Sequence, residues 1–140
     1  MKKLTPGLCA AYKADAMRGL HHEDDRYMLA LYGPAAPLDA HTTAYTTAGE
    51  TAGAGYRAGG VPLKGFEVVE DGAAAVMTFD DVRIERATLR DVCAGLIYNA
   101  SRGNRAVGVV VFQTPLSCTN GAFDIFFPQA TAADGLFVID

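Results

Sequence analysis

The sequence predicts an all-β protein folded as a sandwich or barrel of about eight short strands, led by one short helix. Three observations carry this. Apolar stretches recur at intervals of roughly ten residues with turn residues between them. After the first 20 residues no ten-residue helical pattern separates the strands, which argues against a parallel α/β sheet. The chain of 140 residues is half hydrophobic and one fifth charged, enough apolar material for one core and too much for a disordered chain. One domain over residues 1–140 is therefore expected.

The elements follow in order. Thr5 to Leu20 reads as a helical N-terminal arm within residues 1–20. Thr5 stands as its cap, Pro6 falls at the first helical position, and Leu8, Ala11, Tyr12, Met17 and Leu20 lie near helical spacing. Gly19 weakens its last turn. The run His21-His22-Glu23-Asp24-Asp25 separates it from a strand at Arg26–Tyr32, where Tyr27, Leu29 and Leu31 share one face and Gly33-Pro34 ends the pattern. Residues 34–60 are poor in large apolar side chains and rich in Ala, Thr and Gly, a long surface excursion of the kind that does something or lies against a partner. Val61–Val69 alternates loosely. Asp71-Gly72 is a hairpin turn before Ala75–Phe79. Val82–Arg86 and Thr88–Tyr98 follow, and Asn99 to Asn104 is a turn cluster. Ala106–Phe112 is the most apolar run and reads as a central strand. Pro115 punctuates it, Phe123–Phe127 is another strand stopped by Pro128, and Leu136–Ile139 is the last.

Several function classes find no support. A net charge of −4 argues against nucleic-acid binding, and no apolar run is long enough to span a bilayer. Met1-Lys2-Lys3 lacks the apolar stretch of a signal peptide. Cys9, Cys93 and Cys118 are odd in number and contain no C-x-x-C, so neither a disulfide framework nor a zinc site is indicated. They suit a reducing compartment as small buried hydrophobes. Neither serine lies in G-x-S-x-G. The patch from His21 to Asp25 is dense in metal-ligand types, but five consecutive side chains fan outward and cannot converge on one ion. His41 stands apart and no H-x-H occurs. The glycine-dense stretch from Gly49 to Gly60 lacks the Lys of a P-loop and the preceding strand of a dinucleotide fold, leaving backbone freedom as its reading. Arg83, Arg86 and Arg90 are interleaved with Glu85 and Asp91, a solvated or partner-facing strand surface. Arg102 and Arg105 flank a turn, where exposed charge is ordinary. Asp80-Asp81 reads as turn chemistry rather than a catalytic pair. No catalytic, cofactor-binding or metal-binding residue and no cofactor is therefore expected. Among the aromatics Tyr45, Tyr56, Tyr98, Phe126 and Phe127 stand out. The last two point to opposite faces if they share a strand, so one of them should be uncovered, as partner surfaces often are.

Three stretches read together resemble a known family. They are Met28-Leu29-Ala30-Leu31-Tyr32-Gly33 with Thr42-Thr43-Ala44-Tyr45-Thr46-Thr47 and Glu50; Gly55-Tyr56-Arg57-Ala58-Gly59-Gly60; and Ala94-Gly95-Leu96-Ile97-Tyr98-Asn99-Ala100-Ser101 with Asn104-Arg105-Ala106-Val107. Their order and spacing are similar to those of the capsid cement, or decoration, proteins of tailed bacteriophages, with the nearest likeness to the short-tailed Bordetella phage type. The resemblance implies a jelly-roll-like β-sandwich on the capsid exterior, made in the bacterial host cytoplasm and acting as homodimers that bridge capsomers of the phage major capsid protein. It carries no active site. A cement protein buries surface against several neighbours, and weak contacts on a lattice add by avidity. Composition and length suggest the arm, the excursion and the C-terminal strands as contact regions, with Leu8, Tyr12, Tyr45, Tyr56, Phe126 and Phe127 as candidate partner-binding residues. A phage tail or fibre domain that recognises a host surface is the second reading, and a small metal-dependent or jelly-roll enzyme the third.

Overall fold

A computed structural model describes residues 4–139. It is an all-β sandwich of two antiparallel sheets, as the strand spacing predicts. The elements are β1 (Leu4–Leu8), α1 (Ala10–Met17), β2 (Tyr27–Tyr32), β3 (Val61–Pro62), β4 (Glu67–Asp71), β5 (Ala74–Thr78), β6 (Val82–Asn99), β7 (Arg105–Ile125) and β8 (Phe137–Ile139). The large sheet has the order β1-β7-β6-β2-β3 and the small sheet β4-β5-β8. No helix among the described residues is long and apolar enough to cross a membrane.

The main core lies between the sheets. Leu29, Leu31, Ile97, Val107, Val110 and Phe112 of the large sheet meet Met77 and Phe137 of the small one. Alternating residues of the same strands form a second core on the opposite face, where Ala30, Tyr32, Leu96, Tyr98, Ala106 and Val109 pack with Ala36, Leu38 and Tyr45. Residues 34–60 are thus no free surface loop. They cover the back of the large sheet, so its middle strands are buried on both faces and lose the in–out alternation of a half-exposed sheet.

The glycines of this segment explain how a chain without large side chains can pack so closely. A Cβ on Gly53 would lie 2.0 Å from the Thr88 carbonyl oxygen, and one on Gly60 1.9 Å from that of Leu29. Both positions place backbone against backbone. Thr88 N–H donates to Ala54 O at 2.9 Å, and Ala106 N–H to Thr43 O at 2.9 Å.

Five boundaries differ from expectation. The loosely alternating stretch Val61–Val69 is two strands, β3 in the large sheet and β4 in the small one. The arm is a strand followed by a helix. Leu4–Leu8 pairs with Gly108–Phe112 of β7, and helix α1 begins only at Ala10, with Cys9 at its N-cap, so Thr5 and Pro6 are strand residues. Pro6 is tolerated because β1 is an edge strand. The helix ends at Met17 rather than Leu20, in a Schellman turn. Gly19, at φ 71°, donates to Ala16 O, and Leu20 N–H donates to Asp15 O. The two strands expected within residues 82–98 are one, β6, with a bulge between Ile84 and Ala87 where Arg86 adopts φ 53°. Likewise β7 runs through Pro115 and ends at Ile125, before Phe126-Phe127. Between the pairs Ala94–Val111 and Val92–Leu116 the ladder slips, so Pro115 has no partner in β6 and its missing N–H breaks no bond of that ladder. Residues 1–3 of the arm lie outside the described residues.

Candidate interaction surface

The most exposed apolar surface lies where the end of β1 and α1 face the small sheet. Cross-strand pairing aligns Val68, Met77 and Phe137 in one rank of the small sheet, and Glu70, Ala75 and Ile139 in the next. Leu8 and Tyr12 face these ranks across a narrow cleft. The cleft opens into a groove of about 500 Å³ lined by Leu8, Lys13, Ala16, Met17, Val138 and Ile139. Met17 is 91% exposed, Val68 55% and Ile139 48%. Large apolar side chains gathered around one groove, with a single Lys at its rim, are the composition of a docking surface.

The candidate residues named from the sequence separate into three places. Leu8 and Tyr12 are together in the cleft, Tyr12 largely buried. Phe126 is 49% exposed just beyond β7, while Phe127 is half-buried and its ring lies 6.5 Å from that of Phe79. The Phe127 N–H donates to Asp81 Oδ1 at 2.8 Å, so that carboxylate ties the chain after β7 to the start of β6, 46 positions away, rather than serving only its own turn. Tyr45 and Tyr56 have inward-turned hydroxyls. Tyr45 donates to Glu50 Oε1 at 2.6 Å and Tyr56 to Glu50 Oε2 at 2.5 Å, where Gly59 N–H also donates at 2.9 Å. Tyr56 Oη accepts from Leu31 N–H at 2.9 Å, and Tyr45 stacks on Tyr98 with ring centres 4.9 Å apart. Burial, and next the bond to Glu50, push the Tyr45 phenol up to about 12. These two tyrosines fasten residues 34–60 to the sheet.

A buried polar network holds α1 from its other side. Asp15 accepts a two-pronged bond from Arg105, at 2.9 and 3.2 Å, and Asp25 one from Arg102, at 2.9 and 3.1 Å. Each guanidinium holds its carboxyl well below the usual range. Asn99 is fully buried between them. Its Nδ2 donates to Asp25 Oδ2 at 2.8 Å and meets His21 Nδ1 at 2.9 Å, and its Oδ1 accepts from Ser101 N–H. The two arginines are therefore not the ordinary exposed charges expected of turn residues, because each straddles a carboxylate that α1 or its connector delivers. Of the run from His21 to Asp25, only the first and last side chains turn inward, while His22, Glu23 and Asp24 are exposed. Among the described residues no group of three or more His, Cys, Asp or Glu is placed to hold a metal ion. The Cys9 thiol is buried, which pushes its pKa up to about 11 and leaves it without thiolate character at neutral pH.

Sequence reasoning missed Asp15, His21, Asn99 and Arg105 as a unit. A signal was present in the spacing Arg102-x-x-Arg105 around a turn, opposite a connector rich in His and Asp. Arg83 pairs loosely with Glu85 at 3.6 Å and Asp124 at 3.7 Å on the surface, in keeping with a solvated strand face.

No protein-family model matches the chain, and comparison with the curated proteins and with the solved structures returns no match.

Proposed function

We propose that this protein is a structural virion component, a cement or decoration protein that binds the outside of a tailed-phage head as a homodimer. In this role it bridges capsomers of the major capsid protein and stabilises the shell. The observation that carries the reading is the groove beside α1 and the cleft that opens into it, where Met17 and Ile139, and in the cleft Val68, stand exposed. Burying such side chains against a neighbour contributes about 25 cal/mol per Å² of apolar surface. Repeated over a lattice, a modest contact of this kind is amplified by avidity. The resemblance of the stretches around Tyr32, Tyr56 and Tyr98 supports the same reading, as does the acidic balance of the chain, which disfavours adhesion to packaged DNA. The function needs no catalytic step and no cofactor.

The test is co-sedimentation with capsids that lack the protein, followed by a heat challenge. We expect saturable binding and raised heat resistance. Removing residues 1–20 is a poor control, because it deletes an edge strand and the buried Cys9, Tyr12 and Asp15. Met17→Lys is better: its side chain is 91% exposed and a cation suits a helix C-terminus, so folding should change by less than about 1 kcal/mol. Capsid binding should weaken at least tenfold. Absence of binding by the unaltered protein would turn the assignment toward a tail or fibre module for host surfaces.

A further inference from the structure

His21 follows the Schellman turn that ends α1, and its side chain is only 3% exposed. Groups from every surrounding element face it. From α1 come the Tyr12 ring, 4.8 Å away, and Asp15, whose Oδ2 lies 3.5 Å from His21 Nε2, with Arg18 outside at 3.6 Å from Asp15. The connector supplies Asp25, β6 supplies Asn99, the following turn Arg102, and β7 Arg105. The hydrogen bonds determine which nitrogen carries the proton. Asn99 Nδ2 spends one hydrogen on Asp25 and the other on His21 Nδ1, so Nδ1 accepts and the proton sits on Nε2. Nε2 makes no well-formed hydrogen bond, its nearest acceptor being the distant Asp15 Oδ2.

A second proton must therefore enter at Nδ1, where an N–H already points. The Asn99 amide cannot turn to receive it. Turning would aim Oδ1 at the Asp25 carboxylate and abandon the Ser101 N–H, which donates to Oδ1 at 3.0 Å. Nor is there an unmatched anion: Asp15 Oδ2 stands 3.5 Å from Nε2, but its charge is already offset. Asp15 and Asp25 are each gripped by their own guanidinium, and Arg18 adds a further positive charge at the rim. Burying a third cation among matched pairs is unfavourable unless the site opens.

We propose that His21 is an acid-sensitive latch: while neutral it holds α1 against the turn between β6 and β7, and its protonation frees residues 10–20 while the paired sheets stay folded. The burial of the ring, which depresses its basicity despite the nearby carboxylates, agrees with this. Because α1 is one wall of the apolar groove, release would also reshape that surface. This last consequence rests on the docking reading above, whereas the latch does not.

The experiment is hydrogen exchange read by mass spectrometry from pH 7.5 to 5.0, corrected for the intrinsic pH dependence of exchange. Imidazole nitrogen shifts of the three histidines are followed by NMR on the same protein. Peptides within 10–20 should lose at least tenfold in protection while peptides within 92–112 keep theirs. The His21 imidazolium signal should appear over the same pH interval. In His21→Gln, which cannot titrate, protection of 10–20 should be flat with pH. Three results would overturn the latch: loss of both regions together, no loss down to pH 5.0, or a His21 that protonates with α1 still protected. The NMR arm decides the question even where His21→Gln folds poorly. Capsid binding measured at the same pH values separates the groove consequence from the latch, since α1 can be released whether or not the protein binds capsids.

Discussion

Glu50 shows how much a single residue governs in this protein. Its two carboxylate oxygens accept from Tyr45, Tyr56 and the Gly59 N–H, and through them organise a segment with no regular structure. Replacing it by Ala leaves three donors without an acceptor in a partly buried site, a cost of roughly 2–3 kcal/mol. Glu50→Ala should lower the midpoint of thermal unfolding and open residues 34–60 to limited proteolysis, with β6 and β7 left resistant. Glu50→Gln, which keeps one acceptor oxygen, should show a smaller effect. Equal protease resistance in all three proteins would show that the glycine contacts alone hold the segment. The sequence displays Glu50 and the tyrosines as residue types, but nothing in their spacing says that the hydroxyls converge on one carboxylate.

At the scale of elements, the two sheets press together at Gly108. A Cβ there would lie 2.4 Å from the Phe137 ring and 2.9 Å from the Gly7 carbonyl oxygen. Gly108 thus lets β8 press its aromatic ring directly onto β7. Gly108→Ala should destabilise by about 1–3 kcal/mol through overpacking. Its cost should shrink when Phe137 is Leu, and a double-mutant cycle in chemical denaturation measures that coupling. Additive effects would place the strain elsewhere, at β1. The strand β2, the turn at Asp71-Gly72 and the turn at residues 99–104 were legible in the sequence, because each depends on local alternation or on turn residues. The β1 strand was not, because Leu4–Leu8 takes its conformation from pairing with β7 more than a hundred residues away. The same holds for β6 and β7, whose bulges absorb breaks that read locally as ends.

The whole molecule is held partly by charge, and acid should dismantle it in two stages. His21 has its pKa lowered by burial, so the folded protein binds fewer protons there than the unfolded chain. Its contribution is present at neutral pH and fades as pH falls through about 6.5, the value for a free imidazole. Asp15 and Asp25 have carboxyls lowered by Arg105 and Arg102, so their contribution is complete above about pH 4 and fades below it. Urea midpoints measured from pH 8 to 3 should decline twice, and Arg102→Gln, which leaves Asp25 without its cation beside Asn99 and His21, should shrink both declines. A single decline confined to the carboxylate range would show that His21 protonates without penalty.

By itself the sequence determined the fold class, the main turns and the short helix near the start, because periodicity and turn chemistry act over a few residues; the eight strands match the expected number only because mergers and additions cancel. Only the tertiary structure decided that residues 34–60 cover a second core, that two expected partner-facing tyrosines face inward instead, and that Leu8 and Tyr12 share a groove with Met17 and Ile139. It also decided that Asp15, His21, Asp25, Asn99, Arg102 and Arg105 act as one network. These are convergences of residues up to 131 positions apart, as for Leu8 and Ile139. They follow from how strands pair across the whole chain, which local patterns do not encode.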